Sequence, residues 1–343
     1  MKNVIITIDT EGHVGSDPVE HLIWGKTSKK EEYGINRIMD ICDSFSAKAL
    51  FFVDVAEAWD YGKEKIAEVI RHIRKRGHDV GVHIHPDHMA DRNRLFLWEY
   101  CKEEQREIIT KCTNLYTEIT GDFPVAFRAG KYGADRDTLD ILDELGYKFD
   151  FSQFYGQKWC GINPPVCMTL PNKYKNIIEL PVTIFRSMKF WKLKRYDKVD
   201  AVMDSAEFRH ILDRIAADKR DIIVSLFYHS FSILDWKENP DEPCLNCKEE
   251  KKFVNTLKYV NKSGNFRFLS LSNLVENSET IKCGESEDLV ENIISTKGFL
   301  RSAYFTFRRA YRIKKYNKKA RFLVYSFFFG LALIFVFLTL TFL

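Results

Sequence analysis

Four of the chain's nine histidines lie close together, in the segment from Gly77 to His88. Apolar residues there alternate with polar ones, which is the period-2 pattern of a β-strand, so His83 and His85 should share one face. Pro86 cannot donate to a sheet ladder and should end the strand, just before His88. Neighbouring imidazoles at a strand end are suited to binding a divalent metal ion, although structural histidines in a polar loop are the plainer alternative.

Two carboxylates follow another apolar segment near the start of the chain. Residues 3–9 read as a strand, and it delivers Asp9 and Glu11 at its end, two positions apart. Both side chains can therefore point the same way. One carboxylate could bind a metal while the other accepts a proton from water. Taken alone, the pair could also be two solvated loop acids.

An arginine and a further histidine also follow apolar strands later in the sequence. Arg128 follows an apolar strand, where a guanidinium is costly unless it meets a carboxylate, and Asp9 is its expected partner. The pair could serve catalysis or be a structural ion pair. Gly130 after it permits a tight turn whose N–H groups could face an oxyanion. His229 ends another apolar strand and could protonate a leaving group, or be a structural histidine.

Short apolar strands alternate with helical segments along most of the chain. Strands are predicted at residues 3–9, 49–54, 80–85, 125–128, 147–152, 177–181, 222–227 and 266–271. Helices are predicted at residues 32–45, 63–76, 97–119, 136–145, 206–217 and 248–260, with a short one from 272, and residues 155–175 and 236–247 read as long loops. This alternation predicts an α/β fold with parallel strands, either a barrel or a doubly wound sheet. In a barrel the candidate residues would converge on one mouth, because they follow strand ends.

The charge distribution separates a body from a tail. The net charge is +4, but residues 301–321 contain nine Lys and Arg and no Asp or Glu, so the remainder carries 4 − 9 = −5. An acidic body with a basic neck is not typical of a nucleic-acid-binding protein. Residues 322–343 are uncharged, and these 22 residues are long enough, at about 1.5 Å each, to cross a hydrocarbon core of about 30 Å. They are predicted to form a transmembrane helix.

The neck and the N-terminus together predict where the body lies. The positive-inside rule keeps residues 301–321 in the cytoplasm. Asp9 and Glu11 interrupt the only early apolar run, so no secretory signal is expected. We therefore expect a single-pass protein of the cytoplasmic membrane with its body on the cytoplasmic side. Its eight cysteines should be reduced there, and Cys244 and Cys247, although spaced as CxxC, supply only half of a four-ligand zinc site.

Five motifs, taken in order, resemble those of the polysaccharide deacetylase family, the family-four carbohydrate esterases. The similar segments are Thr7-Ile8-Asp9-Thr10-Glu11, Gly77-His78-Asp79-Val80-Gly81-Val82-His83, Arg128 to Gly133, Asp150-Phe151-Ser152 and Phe227-Tyr228-His229. The resemblance covers roughly residues 3–275. It implies a distorted (β/α) barrel of seven or eight strands at 1–275, followed by a polar linker at 276–300, the basic neck at 301–321 and the helix at 322–343.

The resemblance also implies a reaction, the hydrolysis of an N- or O-acetyl group on a sugar with one divalent metal ion, zinc being expected. By position, Asp9 would be the base, Arg128 would orient it, and His229 would be the acid. The metal ligands would be Glu11, His83 and either His85 or His88. Gly130, Tyr132, Asp150 and Ser152 would line the substrate site, with Tyr132 or its neighbours supplying the oxyanion N–H.

The chain departs from the family pattern at three points. The adjacent Asp-Asp pair is replaced by Asp9 and Glu11, whose roles could be exchanged. The second metal histidine should stand at position 87, which is Asp87, so His85 or His88 must substitute, and His85 is preferred because it shares a strand face with His83. The arginine motif has one extra residue before Tyr132, which leaves the oxyanion donor open.

These observations suggest a membrane-held deacetylase of an acetylated sugar, lipid-linked or nucleotide-linked, in surface-glycan synthesis. One alternative keeps the fold and the metal but cleaves a C–N bond in a non-sugar amide. Another is a non-catalytic, membrane-tethered module that binds glycans, for which Asp87 is the main argument. The expected partners are thus an acetylated sugar and the membrane, with no nucleic acid.

Overall fold

The computed structural model of the chain describes residues 1–190, 193–200, 203–284, 294–296, 298–314 and 317–326. The strands are β1 (Lys2–Thr10), β2 (Ala49–Asp54), β3 (Asp79–Ile84), β4 (Ala126–Ala129), β5 (Phe149–Asp150), β6 (Asn172–Tyr174), β7 (Ile177–Glu179), β8 (Ile184–Phe190), β9 (Leu193–Lys198), β10 (Ile223–His229), β11 (Leu234–Asp235), β12 (Cys244–Leu245) and β13 (Phe266–Phe268). The α-helices are α1 (Ile35–Asp43), α2 (Ala58–Tyr61), α3 (Lys63–Lys75), α4 (Lys102–Thr120), α5 (Arg136–Leu145), α6 (Ser205–Ala216), α7 (Cys247–Lys262), α8 (Leu271–Glu276) and α9 (Phe299–Ile313).

Nine of these strands form one sheet, in the order β10-β1-β2-β3-β4-β5-β7-β6 with β13 also paired to β1. All pairings are parallel except that of β6 with β7. The strand β13 pairs with the first residues of β1, and β2 pairs with its last five. This mainly parallel α/β sheet agrees with the predicted fold class and is consistent with a distorted barrel.

A hairpin not predicted from the sequence covers the opening between β7 and β10. No ladder joins these two strands in the part of the chain that the structure describes. The segment leading into the β8–β9 hairpin reaches β10 through Thr183, whose hydroxyl accepts a hydrogen bond from the Ser225 amide at 2.7 Å. Beyond β9, Asp200 forms a bridge with Phe227. The barrel is therefore closed on this side by irregular contacts and not by a continuous ladder.

Alternation along each strand separates two apolar cores. On β1, Val4, Ile6 and Ile8 pack outward against the helices, together with Phe51 of β2 and many other buried residues. The opposite face fills the barrel with a smaller cluster, Ile5, Leu50, Phe52, Ala126, Phe149, Phe151, Ile178, Leu180, Ile223, Leu271 and Leu274. Because side chains alternate with a period of 2, the positions that continue the inner rows toward the strand ends are Asp9, Asp54, His83, Arg128 and His229.

The predicted helix at 97–119 is divided in the structure. A 3-10 turn covers Leu97–Glu99, and α4 begins only at Lys102. The cause is local, because the Glu104 carboxylate accepts a hydrogen bond from the Cys101 amide at 2.9 Å and so starts a new helix there. The predicted helix at residues 136–145 and the strand at 49–54 have the bounds observed for α5 and β2.

The tail beyond the barrel makes contacts of its own. The backbone of Ile294 and Thr296, at the end of the segment predicted as a linker, hydrogen-bonds to Arg186 of β8, and both residues are buried. In α9, Arg309 donates to the buried Glu207 carboxylate at 2.8 Å. The part of the basic neck that the structure describes therefore includes a helix docked on the barrel through a buried charge pair.

The predicted transmembrane helix falls mostly outside the described residues, since 327–343 are not among them. Of the helices that are described, none combines the length and the apolar character needed to cross a membrane. The membrane anchor at 322–343 therefore stays a prediction from the sequence.

Gly81 offers a test of the packing inside the barrel. A Cβ added there would lie 2.7 Å from the Phe52 ring, which supports the Arg128 guanidinium. We expect Gly81→Ala to lower the free energy of unfolding by about 1–3 kcal/mol, as for other overpacked cores, in urea denaturation. Gly264→Ala is the control, because nothing lies within 4 Å of its added methyl and only its left-handed backbone is strained. Equal losses in the two variants would contradict the packing argument.

Candidate active site

Three metal-ligating side chains meet at the C-terminal ends of β1 and β3. The Glu11 Oε2 atom lies 3.3 Å from His83 Nε2 and 2.8 Å from His85 Nε2. One ligand atom from each residue falls within 4.8 Å of the others. Two imidazole nitrogens and one carboxylate oxygen are a ligand set used by catalytic zinc sites, which leave the fourth position open.

The orientation of His83 supports its use as a metal ligand. Its Nδ1 donates to the Arg128 carbonyl at 2.8 Å, which fixes the tautomer and leaves a lone pair on Nε2. That Nε2 atom is buried and has no hydrogen-bond partner among the described residues. A cation beside Glu11 would satisfy it, so the residues present fit a divalent metal.

The second carboxylate of the pair is held by a buried cation. Arg128 Nη1 donates to Asp9 Oδ1 at 2.6 Å, and Nη2 donates to the Thr7 hydroxyl at 3.0 Å. The other Asp9 oxygen lies 4.0 Å from His83 Nε2. The structure thus brings Asp9 to Arg128 and Glu11 to the histidines, which favours the assignment of Asp9 as base and Glu11 as ligand over the exchanged one.

His229 lies near the Oε1 atom of Glu11, whereas His83 and His85 lie near its Oε2 atom. Asp9 and His229 are register partners on neighbouring strands, and His229 Nε2 lies 3.5 Å from Glu11 Oε1. The ring stacks on Phe231 with centroids 4.7 Å apart. Burial lowers the pKa of His229 although the Glu11 and Asp9 carboxylates oppose this shift, so the imidazole is neutral near pH 7. In this form it can accept a proton and pass it on.

A cleft of about 460 Å³ opens over these residues. Its lining comprises Asp9, Glu11, Gly12, His13, His85, Asp87, His88, Lys131, Tyr132, Lys198, Phe227, His229, Phe231 and Trp236. A neighbouring cavity shares Lys131, Tyr132 and Lys198 with it and continues to Trp159 in the 155–175 loop. The cleft is therefore elongated, with aromatic walls on both sides of the charged cluster.

Lys198 was missed by the sequence analysis because the hairpin that carries it was not predicted. Its Nζ lies 3.2 Å from the centre of the Phe227 ring. Burial lowers the pKa of Lys198 to about 8, although Asp200 and Asp9 nearby favour its charged form. It faces the same cleft as Asp9 and His229 and can contact a bound molecule there.

The turn after β4 is strained and tightly packed. Lys131 and Tyr132 both have positive φ angles, 51° and 58°, in a 3-10 turn that begins at Gly130. A Cβ on Gly130 would lie 2.7 Å from both His85 Cγ and the Ile84 carbonyl oxygen, so only glycine lets the His85 ring approach. The predicted substrate residue Tyr132 lines the cleft, and Gly130 acts by making room for His85.

Two predicted substrate residues lie elsewhere. The side chains of Asp150 and Ser152 are fully buried and neither lines the cleft. Ser152 Oγ donates to Asp150 Oδ1 at 2.7 Å and accepts from the Ala129 amide at 2.9 Å. The hydroxyl therefore ties the end of β5 to the end of β4, so the structure gives this pair a supporting position and not one in contact with a substrate.

His88 does not join Glu11. Its Nε2 lies 3.8 Å from Asp54 Oδ2 and 3.9 Å from Glu57 Oε1, and these three residues form a separate cluster. Of the two histidines left open by the sequence, His85 is the one the structure places beside Glu11 and His83. Asp54 and Glu57 were not singled out in the sequence, although Asp54 ends a predicted strand as the other candidates do.

Comparisons with known proteins find a family profile that matches part of the chain. Residues 28–149 match the profile of the polysaccharide deacetylase family. This segment includes His83, His85 and Arg128 but not Asp9, Glu11 or His229. A peptidoglycan deacetylase-like protein of Gibberella zeae is 40% identical over 66 residues, which cover 17% of this chain and 20% of that protein. The chain thus matches only about a fifth of that relative's length.

A solved structure shares the fold. A protein of Mycobacterium smegmatis, provisionally described as a polysaccharide deacetylase, has a TM-score of 0.55 and 17% identity over 82% of this chain and 92% of its own. The peptidoglycan deacetylase PdaC from Bacillus subtilis has a TM-score of 0.39 and 15% identity over 81% and 92%, too low a score to bear on the argument. The chain thus resembles the polysaccharide deacetylases in the sequence of residues 28–149 and shares the fold of a solved structure.

The ion pair between His85 and Glu11 predicts a measurable titration in metal-free protein. Burial lowers the pKa of His85, but the Glu11 carboxylate outweighs it and raises this pKa to about 9. Because the folded pKa is raised, the pair stabilises the metal-free fold fully below about pH 6.5, and this contribution is lost as the pH rises through about 9. NMR titration of the histidines in the presence of a chelator should show this pKa. Glu11→Gln should lower this pKa toward its ordinary value, and an unchanged value would contradict the pairing.

Proposed function

We propose that this chain, which carries the profile and the fold of the polysaccharide deacetylases, is a metal-dependent hydrolase that removes an acetyl group from a sugar. The observation that carries the proposal is the position of Glu11 Oε2 against both imidazoles of β3, beside an Asp9 that Arg128 holds. Glu11, His83 and His85 would hold the ion, and zinc suits this ligand set. When bound, the ion would polarise the acetyl carbonyl as a Lewis acid.

The remaining residues have distinct roles in the proposed reaction. Asp9 takes the proton of the attacking water, because its Oδ1 is fixed by Arg128 and its Oδ2 faces the cluster. His229, near the other oxygen of Glu11, takes up a proton from solvent and delivers it to the leaving nitrogen or oxygen, and Asp9 then returns its proton to solvent. Backbone N–H groups of the turn that contains Tyr132 stabilise the oxyanion. The fission breaks the carbonyl carbon–heteroatom bond and yields acetate and the free amine or alcohol.

The shape of the cleft favours a sugar over a compact amide. Trp159 and Tyr132 line one end and Trp236 and Phe231 the other, and aromatic faces are suited to the apolar faces of sugar rings. Lys198 and Lys131 add donors for hydroxyl or phosphate oxygens. An elongated cleft with charged residues at its centre is therefore suited to binding a saccharide that carries a substituent on each side of the acetyl group.

We further propose that the substrate is a lipid-linked or nucleotide-linked sugar of surface-glycan synthesis at the cytoplasmic face of the membrane. The support comes from the sequence, in the basic residues of 301–321 and the uncharged stretch 322–343. An anchored domain acts on molecules that reach the bilayer surface, and a sugar carried on a lipid is held there.

Two substitutions distinguish the residue that acts as general base from the residue that binds the metal. Asp9→Asn should lower kcat about 10²–10⁴-fold, the usual contribution of a general base, while the affinity for zinc at the Glu11 cluster is kept. Glu11→Gln should weaken zinc binding at this cluster, because it removes the carboxylate ligand. Zinc titration calorimetry and turnover of an acetylated sugar measure the two effects. Full activity of Asp9→Asn would remove Asp9 as the base and point to Glu11.

The substrate class is tested in cells and with purified protein. Mass spectrometry of the sugar-lipid pool should show species heavier by one acetyl group when the gene is deleted, and the wild-type chain, but not Asp9→Asn, should remove them. The purified chain should release acetate from lipid-linked or nucleotide-linked acetyl sugars. Activity on glycan polymers with none on these carriers would contradict the proposed substrate, and activity on non-sugar amides alone would support the other enzyme class.

A further inference from the structure

A second group of ligating side chains lies beside the first and has no role in the proposed reaction. Asp54, Glu57 and His88 each offer one ligand atom, and these atoms lie within 4.8 Å of one another. Asp54 ends β2, Glu57 follows in a 3-10 turn, and His88 closes the turn after β3. The distances from His88 Nε2, 3.8 Å to Asp54 and 3.9 Å to Glu57, are too long for hydrogen bonds. They leave room for an ion between the three groups.

The imidazole is aimed at the two carboxylates by a separate acid. His88 Nδ1 donates to Asp60 Oδ2 at 2.6 Å, and Asp60 is held in turn by Arg92 at 2.9 Å. This bond places the proton on Nδ1 and leaves the Nε2 lone pair directed at Asp54 and Glu57. A histidine held by a carboxylate on its far nitrogen is the usual arrangement around protein-bound metals.

The carboxylates of Asp54 and Glu57 are incompletely hydrogen-bonded. Asp54 and Glu57 are fully buried. Neither oxygen of Glu57, nor Oδ2 of Asp54, has a hydrogen-bond partner in the described ranges. Burial raises the pKa of both groups, and for Glu57 the neighbouring charge of Asp54 raises it further. Two adjacent buried acids with three unpartnered oxygens between them are costly to a fold unless a cation joins them.

We propose that Asp54, Glu57 and His88 bind a second divalent cation beside the first. Two carboxylate oxygens and one imidazole nitrogen suit Zn²⁺ or Mn²⁺. The two sites are coupled through Asp54, because its other oxygen, Oδ1, accepts a hydrogen bond from the backbone amide of His85 at 3.2 Å. A cation held by Asp54 therefore fixes the chain that carries a ligand of the first cluster. The assignment stands apart from the reaction chemistry, since it is tested by counting ions.

The count is made on the purified full chain carrying Cys244→Ser and Cys247→Ser, so that the exposed thiol pair adds no zinc. After removal of metals and titration with Zn²⁺, native mass spectrometry should find two ions per chain. Glu57→Gln and Asp54→Asn should each leave only the ion at the Glu11 cluster. Glu11→Gln should leave only the ion at the Asp54 cluster. Glu179→Gln is the matched control. It also neutralises a buried carboxylate, one that lies beside Asp150 and outside both clusters, and should keep two ions.

Thermal melting shows whether each variant is still folded. Without metal, Glu57→Gln should melt no lower than the starting protein, because glutamine keeps the size of the side chain and buries no charge. Zinc should raise its melting temperature less than that of the starting protein, since one binding equilibrium is lost. A single ion in the starting protein, or a count that Glu57→Gln leaves unchanged, would overturn the second site. A missing deacetylase activity with two ions still bound would instead count against the proposed function alone.

Discussion

The charge pair between Arg128 and Asp9 is the constraint on which the rest of the site depends. Arg128 is fully buried inside the barrel, with its guanidinium 4.3 Å from the centre of the Phe52 ring. Breaking such a buried pair by removing one partner typically costs about 3–5 kcal/mol. The arginine therefore holds Asp9 at the mouth, and its own carbonyl accepts from His83. A single residue thus orients both the candidate base and a metal ligand.

The position of the site follows from strand alternation, and this part could be read from the sequence. Apolar runs with a period of 2 predicted the strands, and the chemistry-bearing residues at their ends predicted a common mouth. In the structure, Asp9 is opposite His229 on the neighbouring strand, and His83 is opposite both Asp54 and Arg128. Parallel strands bring together residues that are far apart in the chain but equally far along their strands.

The parts that the sequence could not predict depend on contacts without a local signal. The β8–β9 hairpin buries Ile184 and Phe185 but is otherwise largely polar, so its sequence shows no clear strand pattern and Lys198 was not placed at the cleft. Asp150 and Ser152 follow a strand end as the other candidates do, but their side chains bond to each other and to β4. A strand end predicts which rim a residue occupies, whereas the bonds at the rim decide whether it faces a ligand.

The departures from the family pattern become consistent with one another in three dimensions. With Asp87 at the expected histidine position, the second imidazole of the candidate site would come from His85, whose ring needs the space that Gly130 leaves. His85 lies one strand period beyond His83, so both face the barrel axis, and the ligating carboxylate must reach both. Glu11 is likewise one period beyond Asp9 and longer by one methylene, and it spans to the two nitrogens at 3.3 and 2.8 Å. Compared with the pattern that the sequence resembles, Asp-x-Glu in place of an adjacent Asp-Asp pair and His85 in place of a histidine at 87 would be matched changes, because each puts a candidate ligand on the inward face of its strand.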